Sequence, residues 1–106
     1  MGEAVELHVG MIEETLPRVL KDRPSASFSL VHCDADLYSP TTLILEQMHP
    51  RLSQGGAFIV DEWNIDYFPG ETVAVREFLE THGDNYVMEH VPNIRQPTLL
   101  LRKTSA

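Results

Sequence analysis

The chain has 106 residues, of which 42% are hydrophobic and 23% charged, a balance that supports one small globular domain and excludes a disordered chain. Sixteen acidic residues against eight basic ones give a net charge of -8, which repels phosphate backbones and argues against nucleic acid as a partner. No apolar run approaches the roughly 20 residues that a bilayer requires, so no membrane partner is expected. Cys33 is the sole cysteine, which excludes an intrachain disulfide and a thiolate cluster. With no basic, apolar leader at the start of the chain, a reducing, cytoplasmic setting is the expectation.

The elements follow in order. Val5, Leu7 and Val9 alternate, which predicts a short strand ending at Gly10. Thr15 to Asp22 reads as a helix with Thr15 as its cap and Pro17 in its first turn. Phe28 to Cys33 is apolar apart from Ser29 and His32, the pattern of a buried strand. Ser39-Pro40 then opens a helix whose apolar face is Ile44, Leu45, Met48 and Leu52, kinked or ended at Pro50 and stopped at Gly55-Gly56. Ala57 to Val60 is a second buried strand. Pro69-Gly70 opens a further helix, with Val75, Phe78 and Leu79 on its apolar side, and Gly83 closes it. Tyr86 to Val91 and Thr98 to Leu101 are the last two strands. Alternation of strand and helix predicts an α/β fold with a mainly parallel sheet and helices on its faces. The last two strands are joined too tightly for a crossover, so the final strand runs antiparallel.

Four acids carry the chemistry. Asp34 and Asp36 follow one buried strand, and Asp61 and Glu62 follow the next. In an open α/β sheet the ligand crevice lies beyond the carboxyl ends of the strands. Parallel neighbours about 4.8 Å apart bring such carboxylates together. Converging carboxylates repel unless they share a proton or a hard cation, with magnesium–oxygen distances of about 2.1 Å. Isolated strand-end acids cap loops and helices; two pairs on consecutive strands favour a site. His32 reads as a hydrogen-bonded core histidine. Trp63, Tyr67, Phe68 and Tyr38 either wall a substrate pocket or cover the sheet end.

The stretches DADLYSPT (Asp34 to Thr41), LEQMHPRLSQGGAFIVDEW (Leu45 to Trp63) and PGETVAVREFL (Pro69 to Leu79) resemble the macrocin O-methyltransferase family. Its members use S-adenosylmethionine to methylate hydroxyls on the sugars of macrolide and aminocoumarin antibiotics. GMIEETLP (Gly10 to Pro17) is similar to the segment after that family's third strand. The resemblance implies a Rossmann-like methyltransferase sheet, with Asp34, Asp61 and Glu62 as ligands of a divalent cation, magnesium first among them. Asp36 is implied as general base, and Glu62 departs from the aspartate usual there. Tyr38 and Trp63 are candidates for contact with the small-molecule hydroxyl acceptor. The implied mechanism lowers the pKa of a metal-bound hydroxyl, removes its proton and lets the oxygen attack the sulfonium methyl in line.

The six glycines are scattered, and no glycine-rich turn of the kind that holds a nucleotide cofactor is present. The chain is therefore similar to the carboxyl-terminal half of the methyltransferase domain, residues 1–106 forming one partial domain. The family's strand order, 3-2-1-4-5-7-6, implies that strands three to seven are kept. Two other readings compete with an active methyltransferase. One is a haloacid-dehalogenase-type phosphatase, for which Leu37-Tyr38 is the wrong sequel to Asp34-x-Asp36 and a catalytic lysine is missing. The other is an inactive fragment that folds by oligomerising. Phe28 to Cys33, left as an open apolar edge, predicts a homodimer.

Overall fold

A computed structural model describes residues 5–35, 37–60, 69–91 and 98–104. Helix α1 (Ile12–Asp22) begins three residues earlier than the sequence suggests. The Thr15 amide already donates to the Met11 carbonyl at 3.0 Å, so Thr15 is an interior residue, buried, and not the cap. Glu13 and Glu14 in the first turn suit the positive end of the helix dipole. The segment 5–9 before it has no regular secondary structure and pairs with no strand among the described residues, which corrects the expected first strand. Alternation supplies the shape of a strand, whereas the ladder requires a neighbour.

Strand β1 (Phe28–Cys33) has the predicted bounds. Helix α2 (Tyr38–Met48) starts one residue before Ser39, with Leu37 extended at its cap position. Pro40 therefore falls in the first turn, where a missing N–H costs nothing. Pro50 ends the helix in a 3-10 turn, His49–Arg51. Strand β2 then runs Leu52–Val60, so Gly55-Gly56 is no helix stop. The glycines form a bulge instead: the parallel register passes from Phe28↔Leu52 to Leu30↔Ala57. Gly55 takes φ +85, and a Cβ on Gly56 would stand 2.9 Å from the Ser29 carbonyl oxygen.

Helix α3 (Pro69–His82) is followed by a 3-10 turn (Gly83–Asn85), β3 (Tyr86–Val91) and β4 (Thr98–Lys103). The sheet order is β1-β2-β4-β3. β1 and β2 are parallel, and β4 is antiparallel to both of its neighbours. In the family's numbering this is 4-5-7-6, as the resemblance implies.

One core holds these elements. Phe58, Val60, Leu99 and Leu101 project from one face of the sheet onto Leu20 of α1, Leu45 and Met48 of α2, and Val75 and Phe78 of α3. Each such side chain contributes about 1.5–3 kcal/mol when fully buried. All three helices feed this single face, where cover on both was expected. A right-handed crossover puts consecutive helices of a sheet growing in one direction on the same side.

Two cations fasten helix ends to the sheet. Arg51 donates to the carbonyls of Leu20 and Arg23 at the close of α1, and Lys103 to those of His49 and Leu52 at the close of α2.

Candidate functional site at the carboxyl rim of the sheet

The parallel pairing Cys33↔Val60 brings β1 and β2 to a common rim. Asp34 follows Cys33 with its side chain exposed, clear of the core. Its neighbour Cys33 is fully buried, and burial, reinforced by the Glu71 carboxylate, pushes the thiol up to about 12. Cys33 is thus a protonated core thiol. Of the other sequence-predicted site residues, Asp36, Asp61, Glu62 and Trp63 lie outside the described residues. Among the described residues no three His, Cys, Asp or Glu side chains stand together as a metal centre.

Tyr38 opens α2 on the same rim and is 41% exposed. Its phenol donates a hydrogen bond to the Glu77 carboxylate of α3, and that bond to a carboxylate raises the phenol's pKa. The ring is thereby held between the two helices. The helices meet closely here: a Cβ on Gly70 would lie 2.6 Å from the Tyr38 backbone nitrogen, so only glycine fits.

His32 is exposed on β1, which corrects the expectation of a core histidine. It lies opposite Ile59, on the face away from the helices.

Glu71 was missed by sequence reasoning. It sits in the first turn of α3, fully buried, near enough to Cys33 to act on its thiol. The signal was available: Glu71, Ala74, Val75 and Phe78 share the i, i+3, i+4, i+7 spacing of the buried stripe. A carboxylate in the first turn of a helix is stabilised by the dipole.

Residues 1–99 match the family model for macrocin O-methyltransferase (TylF). The chain belongs to that family. A curated relative, the 8-demethyl-8-(2,3-dimethoxy-alpha-L-rhamnosyl)-tetracenomycin-C 4'-O-methyltransferase of Streptomyces olivaceus, is 36% identical over 66 residues, covering 62% of this chain and 24% of the relative. The mycinamicin III 3''-O-methyltransferase of Micromonospora griseorubida is 30% identical over 83 residues, covering 78% and 30%. Among solved structures, CalS11, a TDP-rhamnose 3'-O-methyltransferase of calicheamicin biosynthesis, superposes with a TM-score of 0.78 at 34% identity. That match spans 91% of this chain and 41% of CalS11. The chain thus spans well under half the length of these members of the macrocin O-methyltransferase family. The family is one of S-adenosylmethionine-dependent methyltransferases, and the fold is the Rossmann-like O-methyltransferase α/β type.

Proposed function

We propose that this chain carries the metal-holding and acceptor-facing part of an S-adenosylmethionine-dependent O-methyltransferase acting on a hydroxyl of a sugar or related natural product. The observation that supports it most is the parallel Cys33↔Val60 pairing. It sends the chain out of adjacent strand ends directly into Asp34 on one side and, in sequence, into Asp61-Glu62 on the other. Asp34, Asp61 and Glu62 would hold a divalent cation, with magnesium suited to an all-oxygen donor set. Such a cation, when bound, lowers the pKa of the acceptor hydroxyl. Asp36 would take the hydroxyl proton, and S-adenosylmethionine, when bound, would supply the methyl group that the oxygen receives. Tyr38 and Trp63 contact the acceptor, Tyr38 from a position fixed by Glu77. The single, buried cysteine suits a reducing cytoplasm. Membership of the methyltransferase family removes the support for a phosphatase reading of Asp34-x-Asp36.

Thermal unfolding with and without millimolar magnesium or calcium tests the metal site. A bound cation raises the melting temperature by mass action, and Asp34→Asn abolishes the rise. The variant keeps the fold, because Asp34 is exposed. An unmutated chain with no cation-dependent shift would favour the inactive-fragment reading.

A further inference from the structure

Glu71 is a carboxylate in a place that suits an apolar side chain. It is 0% exposed and lies on the buried stripe of α3 with Ala74, Val75 and Phe78. A hydrophobic residue of similar size would fill that position without the cost of desolvating a charge. The first turn of a 14-residue helix makes the anion tolerable, but does not require one.

The surroundings of Cys33 show what the charge faces. Besides burial, the thiol feels the Glu71 carboxylate, the Thr41 hydroxyl, the Ala35 backbone and the Asp34 carboxylate, in that order. Thr41 of α2 is as fully buried as Glu71. The end of β1 and the starts of α2 and α3 therefore meet at one sulfur. Glu71 reaches it from within the core and Asp34 from the exposed side. Exposed carboxylates are screened by salt within about 8–10 Å, whereas a buried one is screened far less and its field carries through the low-dielectric interior.

We propose that Glu71 is a positioning residue of the candidate cation site, a fixed negative charge behind Asp34 that strengthens the hold on a divalent cation without ligating it. The inference rests on the metal reading given above and adds a residue outside the ligand set Asp34, Asp61 and Glu62. Glu71 is no ligand itself, because it is enclosed in the core and offers no oxygen to a hydrated cation. The donors at the rim are all carboxylate oxygens, a set whose affinity for a hard cation is tuned by the negative charge around it. The same charge works against the empty site. With no cation bound, Glu71 and the rim acids repel one another and the buried charge keeps its desolvation cost. Cation affinity and the stability of the cation-free chain therefore pull in opposite directions at this one residue.

Calorimetric titration with magnesium alone, on the unmutated chain and on Glu71→Gln, tests this. Glutamine keeps the size and the hydrogen-bonding capacity and removes the charge. Magnesium affinity is expected to fall by about tenfold or more, as it does when a group behind a metal ligand is lost, while the melting temperature without cation holds or rises. Glu80→Gln takes the same charge from an exposed position on α3 and changes affinity by no more than about twofold, because salt screens it. If the glutamine variant does not fold, Glu71→Met, which suits the apolar stripe, carries the same test. A merely structural Glu71 gives the reverse pattern, a lower melting temperature with unchanged affinity, and that result overturns the inference. Equal losses for Glu71→Gln and Glu80→Gln overturn it too, since net charge alone would then explain them. An unmutated chain that binds no magnesium removes the metal reading and this inference with it, whereas binding that survives Glu71→Gln intact removes the inference alone.

Discussion

The Lys103 ammonium on the last strand donates to the His49 carbonyl oxygen, 54 residues earlier in the chain, at 2.8 Å. The same nitrogen donates to Leu52 at 2.9 Å, and the side chain is only 4% exposed. One buried cation thus closes α2, holds the 3-10 turn after it and fixes the entry to β2. Replacing it with Met keeps the aliphatic stem and leaves two buried carbonyls without their donor. Lys103→Met is expected to cost about 2–4 kcal/mol, since hydrogen bonds to a charged group are worth about 1.5–3 kcal/mol and some water reaches the site. Urea unfolding measures the loss.

The neighbourhood of His49 sets the pH dependence. Its ring shares a 2.7 Å hydrogen bond with the Tyr86 phenol, lies 4.2 Å from the His82 ring, and sits near Lys103 and Glu46. Burial, then His82 and Lys103, lower its pKa below the ordinary 6.5, against an opposing pull from Glu46. The folded state therefore prefers the neutral ring. Its contribution to stability is present above the unfolded value of 6.5 and is lost as pH falls below that. Tyr86 is pushed up to about 12 by burial and by Glu46, so its contribution holds below pH 10 and is lost above it. Unfolding free energy measured from pH 5 to pH 11 is expected to fall at both ends, with His49→Gln flattening the acid limb alone.

Gly70→Ala tests the junction of α2 and α3. Its Cβ would meet the Tyr38 nitrogen at 2.6 Å, and backbone cannot swing aside as a side chain does. The helices must separate, at about 1–3 kcal/mol for overpacking of this kind. The displacement also loosens the hydrogen bond from Tyr38 to Glu77. A lowered melting temperature together with altered Tyr38 ultraviolet absorption is the expected pair of readouts.

Cys33 is predicted to be inert. A thiol held near 12 has almost no thiolate at pH 8, and its side chain is wholly buried. Labelling with a thiol reagent at pH 8 should be slow in the folded chain and complete after unfolding in urea.

S-adenosylmethionine is expected to bind this chain weakly, because its 106 residues include no glycine-rich turn to approach the cofactor. Calorimetry that returned micromolar affinity would show a cofactor pocket completed by other means.

Most of the fold could be read in advance where the pattern was a local one. Phe28 to Cys33 and Tyr86 to Val91 match the strands in full, because a run of apolar residues bounded by turn residues needs no distant information. Pro69-Gly70 likewise marks the start of α3. The misreadings occurred where a distant partner decided the outcome. Val5 to Val9 has the alternation of a strand but no ladder among the described residues. Gly55-Gly56 resembles a helix stop in sequence, yet pairing with β1 turns it into a bulge within β2. Thr15 has the chemistry of a cap, but Gly10, Met11 and the acids that follow start the helix earlier. At the rim, Asp34 was legible from its place after a buried strand, whereas Glu71 lies inside a helix, where no strand end marks it.

The sheet order has a consequence for how the chain reaches its native state. β4 is last in sequence but lies between β2 and β3, so those two strands share no ladder and are hydrogen-bonded to one another only through it. Until residues 98–103 dock, the β1–β2 pair and β3 have no ladder between them, and Leu99 and Leu101 are missing from the centre of the core. Sheet closure is therefore a late insertion that brings together residues as distant in sequence as Lys103 and His49. Chains that pay such loop-closure entropy before gaining contacts fold slowly. A protease that clips the connection before Thr98 would detach β4 and with it the ladder that links β2 to β3.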